Sequence, residues 1–151
     1  VNPKMPRKVN ESAATFIGFL IAAEFAKEKF GEDSLEYRYL KEYPAFYMDK
    51  ALSVIVYHET LVRTYAALKE KRISEKTALK IKQKVFRDIN SWVTNNAELA
   101  YEVTYSGSFV LLYQVYLVHG ADIQFLVDTV KHISNTGMTE EEAEKYLRGL
   151  L

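Results

Sequence analysis

The chain contains no cysteine. Disulfides and thiolate metal sites are thereby excluded, and a reducing, cytoplasmic or otherwise intracellular (or virion) setting is the expectation. Proline and glycine are scarce, with three and six among 151 residues. So few punctuators favour long helices joined by short turns. There is no Gly-rich phosphate loop, no Gly-x-x-x-x-Gly-Lys sequence and no Gly-x-Ser-x-Gly elbow. The usual nucleotide and hydrolase signatures are therefore missing. None of His58, His119 and His132 follows a Glu by three residues, so the paired Glu-x-x-His signature of carboxylate di-iron bundles is also missing. Glutamine is rare as well: three against fifteen glutamates. With abundant lysine, that balance leans towards a heat-adapted source.

What remains is an ordinary globular composition, 48% apolar and 26% charged, with formal net charge zero. It suits one domain with its own core. Residues 1–10 hold Pro3, Pro6 and the cations Lys4, Arg7 and Lys8 without an acid, which reads as a flexible basic arm. The expected division is that arm followed by a single helical domain over 11–151.

Apolar spacing predicts an all-α, compact bundle of roughly six to eight helices. The first is expected from Asn10 or Ser12 to Gly31, with Gly18 permitting a close helix crossing. A short helix over Leu35–Glu42 should end at Pro44, which then opens a third helix reaching Arg72. Ser74 should cap a fourth, running to Trp92 or Val93. Further helices are expected over Glu98–Tyr105, with Gly107 as the break after it, over Phe109–His119, and over Ile123–Ser134 with Asp122 as its cap. The last starts at Thr139, where Thr139 and Glu142 can form a capping box, and runs to Arg148. The apolar run Phe16–Ala23 ends at Glu24 without a small-residue cleavage site, so no signal peptide is expected. Val103–Ala121 lacks charge for nineteen residues but carries Ser106, Ser108, Gln114 and His119, and reads as buried helix rather than a membrane span.

Charge is the one feature that points to a partner. Between Arg63 and Arg87 lie nine bases and two acids, a net of +7, while Asp88–Leu151 nets −6. Lys76, Lys80, Lys84 and Arg87 are spaced four, four and three apart, on one helix face. Ala78, Ile81, Val85, Ile89 and Trp92 recur on another. A ridge of this kind can neutralise phosphates, with Lys69, Lys71 and Arg72 beside it and Lys4, Arg7 and Lys8 as a clamp. No Asn, Gln or Arg cluster suggests base readout, so the expected contact is with the phosphate backbone. Segregated charge also suits self-association, positive face on negative face, or a place in a larger protein assembly.

Other constellations are weaker. Tyr37, Tyr39, Tyr43, Phe46 and Tyr47, interleaved with Arg38 and Lys41, can stack on bases or pack a helix corner. Asp128 and His132 sit four apart, as a surface pair rather than a metal site. His58 and Arg63 could perform acid–base work on RNA. No catalytic, metal or cofactor site is assigned. The reading is a non-enzymatic helical subunit that binds nucleic acid in many copies. In gross architecture alone it resembles the small all-helical subunits of CRISPR effector complexes or the coat proteins of filamentous archaeal viruses. A protein–protein adaptor, suggested by eleven tyrosines, and a small RNase are the alternatives.

Overall fold

A computed structural model describes residues 5–89 and 93–151. The described residues form seven α-helices and no strand. They are α1 (Arg7–Phe30), α2 (Leu35–Lys69), α3 (Glu75–Asp88), α4 (Asn96–Ser106), α5 (Phe109–Val118), α6 (Ile123–Thr136) and α7 (Glu140–Arg148). The all-α bundle is thus as the apolar spacing predicts.

Two buried clusters hold it together. The larger joins Val9, Ala13, Phe16 and Leu20 of α1 to Phe109, Leu112 and Val115 of α5, Leu126 and Ile133 of α6, and Ala143 and Leu147 of α7. Phe16 is fully buried at its centre, with ring centroids 5.1, 5.6 and 5.3 Å from Phe109, Tyr113 and Tyr116. The smaller joins Val54 and Leu61 of α2 to Val85 of α3 and Leu99 and Val103 of α4, with Ile89 and Val93 from the α3–α4 connection.

Three boundaries differ from the sequence expectation. Residues 7–10 are not a flexible arm: they form the first turn of α1, because Met5 and Val9 are buried in the larger cluster. Ser12 caps nothing there. It is buried, accepts from the Ser108 amide at 3.1 Å and donates to the Tyr105 carbonyl at 2.8 Å, tying α1 to the break between α4 and α5. Nor does Pro44 separate two helices, since α2 runs through it for 35 residues. A proline inside a helix costs about 3 kcal/mol. Packing of the flanking tyrosines offsets this: Phe19 of α1 sits edge-on to Tyr43 and Tyr47, at 4.8 and 5.3 Å, and Tyr47 also meets Phe109 at 4.6 Å. Finally, α3 stops at Asp88, short of Trp92, which lies outside the described residues. The expected caps at Ser74, Asp122 and Thr139 are present, the last as a reciprocal box with Glu142.

Gly107 marks the α4–α5 break for a steric reason. A Cβ there would come within 2.7 Å of the Val103 carbonyl and 2.9 Å of the Lys8 side chain. Gly18, by contrast, faces open space, so no close crossing forms at it within the chain.

Replacing Phe16 by Ala is expected to cost about 3–5 kcal/mol in urea denaturation. Acid sensitivity should come partly from the caps. The Thr94 amide and hydroxyl hold the Glu98 carboxyl below its ordinary value, and those of Thr139 do the same for Glu142. Carboxyls lowered in the fold stabilise it fully above their ordinary range, and that stabilisation drains away as pH falls through the lowered values. Thermal melts should therefore weaken from about pH 5 downward, and Glu142→Gln should flatten this acid limb; an unchanged limb would contradict the assignment.

Candidate nucleic-acid interface

The basic ridge is built by α3 and the turn before it. Ser74 opens α3 by accepting from the Thr77 amide. Its buried face carries Ala78 and Val85, with Ile81 and Phe86 half-buried, and packs against the C-terminal half of α2. At 100° per residue, Lys76, Lys80, Lys84 and Arg87 fall within an arc of about 80° opposite that face. All four are exposed. Among the described residues no acid pairs with Lys76, Lys80 or Lys84, and Arg87 meets only its neighbour Asp88 at 3.7 Å. The C-terminal acids look elsewhere: Glu140 binds Lys8, Glu142 caps α7 and Glu144 holds Arg148 at 2.7 Å.

The turn adds three cations. After α2 ends, the Lys71 amide donates to the Leu68 carbonyl at 2.9 Å and the Arg72 amide to the Ala67 carbonyl at 2.8 Å. This double closure needs a left-handed residue, usually glycine, and Lys71 occupies it with φ 56°. A side chain there costs roughly 1–2 kcal/mol. Lys69 and Lys71 are exposed and have no acidic partner among the described residues, whereas Arg72 is drawn to Glu70 at 2.6 Å.

The described cations of the expected N-terminal clamp belong to a different element from the ridge. Lys4 lies outside the described residues. Arg7 and Lys8 belong to the first turn of α1, in the larger core, and Lys8 is held by Glu140 at the start of α7. The tyrosine-rich stretch divides: Tyr43 and Tyr47 pack inward against Phe19, while Tyr39 and Phe46 remain exposed.

The alternative chemistry finds little geometry. His58 and Arg63 leave α2 about 140° apart. Arg63 is held by Glu59 at 2.9 Å, and His58 lines a groove of about 450 Å³ between α2, the α4–α5 break and α7. Asp128 accepts from Gln124 and Lys131, and His132 packs near Tyr146. His119 stacks on Phe125 at 3.9 Å and hydrogen-bonds to the Leu150 carbonyl. Among the described residues no group of three His, Asp or Glu side chains converges on a metal position.

No known protein family, curated protein or solved structure matches the chain. Among the described residues one helix, α1, has the length and hydropathy to cross a membrane, and it contributes a face to the larger core.

The ridge works against the helix that bears it, since like charges four residues apart cost a few tenths of a kcal/mol each. Lys80 has two such neighbours, Lys76 and Lys84. Lys80→Glu replaces both repulsions by attractions and is expected to stabilise the fold by about 0.5–1 kcal/mol, read as a higher urea midpoint. A lower midpoint would show that Lys80 has a structural partner.

Proposed function

We propose that the protein is a non-enzymatic, intracellular helical subunit that binds nucleic acid through the phosphate backbone, using the α3 ridge and the adjoining turn. One observation supports this above the rest. Lys76, Lys80 and Lys84 lie in a row, exposed, with no carboxylate of the described residues against them. From Lys76 to Arg87 the row spans about 16 Å of helix axis, long enough to follow several successive phosphates. Lys69 and Lys71 extend it beyond the start of α3. Lysine suits this role because it acts as a point charge rather than a planar reader of base edges. Lys71 in a glycine-preferring conformation and the self-repelling row on α3 are both costs to the fold. A polyanion laid on them removes the second.

The test is a titration of the full chain with labelled random single-stranded RNA, single-stranded DNA and duplex, at about 50 and 200 mM salt. Tight binding at the lower salt is expected, with log affinity falling against log salt at a slope of about −3 to −4 for four phosphate contacts. Substituting Lys76, Lys80 and Lys84 together by Gln should weaken binding to all sequences alike and reduce that slope by about three. Absence of binding at the lower salt, or a triple variant that binds as tightly as the natural chain, would remove the proposal.

A further inference from the structure

A groove of about 250 Å³ opens between α1, α2, α5 and the start of α6. Leu20, Ala23 and Pro44 line its buried base. Tyr37, Tyr113 and Tyr116 wall it, half-buried, and among the described residues none of their hydroxyls is in a hydrogen bond. Two charges of opposite sign share it, Glu24 from α1 and Lys41 from α2. Both are exposed, and neither is in an ion pair among the described residues. Lys41 stands over the Tyr37 ring at 5.5 Å. Burial, and after it the nearby Glu24 carboxylate, pushes the Tyr116 phenol above its ordinary range, so Glu24 and Tyr116 belong to one wall. Neighbouring charges are already engaged: Lys27 and Glu32 hold each other, and Asp122 caps α6.

Pro44 adds an acceptor at the same place. Proline has no N–H, so the Leu40 carbonyl, one turn earlier and also in the groove, lacks the amide that an α-helix would aim at it. A carboxylate, a free carbonyl and the faces of aromatic rings are the partners that an ammonium group takes.

We propose that this groove binds a small zwitterion with an apolar body, of the α-amino acid class, its ammonium held by Glu24 and the Leu40 carbonyl and its carboxylate by Lys41. Charge and size select the class. A simple cation would be repelled by Lys41, and a simple anion by Glu24. An uncharged apolar molecule would take water from both charges and give nothing back. A ligand carrying both signs satisfies both walls. The groove lies below the roughly 300–1,000 Å³ typical of clefts for drug-sized ligands, so its occupant is smaller than those. An aromatic body suits the tyrosine walls, where tilted ring contacts are favourable.

The test is titration of the nuclease-treated full chain with L-phenylalanine, followed by calorimetry and by the tyrosine ring signals in NMR. Saturable binding with a dissociation constant between about 10 μM and 1 mM is expected for its roughly twelve non-hydrogen atoms. Phenethylamine, which lacks the carboxylate, and hydrocinnamate, which lacks the ammonium, should each bind about tenfold more weakly. Glu24→Gln and Lys41→Gln should each weaken the amino acid by a similar factor. Both should leave the melting temperature within a few degrees, because the two side chains are exposed and in no ion pair among the described residues. Lys41→Gln should cost the amine nothing and Glu24→Gln should cost the acid nothing, which assigns each charge to its end of the ligand. Pro44→Ala returns an amide to the Leu40 carbonyl; it should raise the melting temperature yet weaken the amino acid a few-fold. No saturable binding at about 10 mM, an analogue that binds as tightly as the amino acid, or any of the three variants binding it as tightly as the natural chain would overturn the proposal. None of these readouts involves nucleic acid, so this inference and the function of α3 can fail separately.

Discussion

The fold depends on α2 remaining one helix through Pro44. It is the helix that supplies side chains to both buried clusters, Ala51 to the larger and Val54 and Leu61 to the smaller. A break at Pro44 would uncouple the aromatic packing of Tyr43 and Tyr47 from the platform that carries α3. The missing amide of a proline removes one backbone hydrogen bond, but the rings of Phe19 and Phe109 clamp the flanking tyrosines from one side. That is a tertiary solution to a local penalty. The spine stays continuous because α1 and α5 hold it so.

From this constraint follows the separation of tasks along the chain. The N-terminal part of α2 is committed to the larger core, where α1, α5, α6 and α7 bury most of the apolar volume. The C-terminal part projects a smaller cluster, and α3 lies on it by one face alone. A helix attached by one face is free to carry charge on the other without desolvating it. Exposed lysines cost little solvation, so the ridge is tolerated despite its self-repulsion. The same charges placed along α5, where Phe109, Leu112 and Val115 are fully buried, would have to enter a core.

Much of the fold was legible in the residues. The all-α class, the caps at Ser74, Asp122 and Thr139 and the break at Gly107 rest on local spacing and capping chemistry, which neighbouring residues decide among themselves. The row Lys76, Lys80, Lys84 and Arg87 was legible for the same reason: a helical period fixes which side chains share a face. Whether that face pointed outward, and whether the C-terminal glutamates would reach it, was not. Glu144 takes Arg148 one turn along its own helix, but Glu140 goes to Lys8, and only the packing of α7 against α1 decides that. The continuity of α2, the helical first turn at Arg7 and the exposure of Ile21 and Phe25 belong to the same category. Each depends on what lies across from a side chain, and a linear pattern of apolar residues reports that a face is greasy without saying whether anything in the chain covers it.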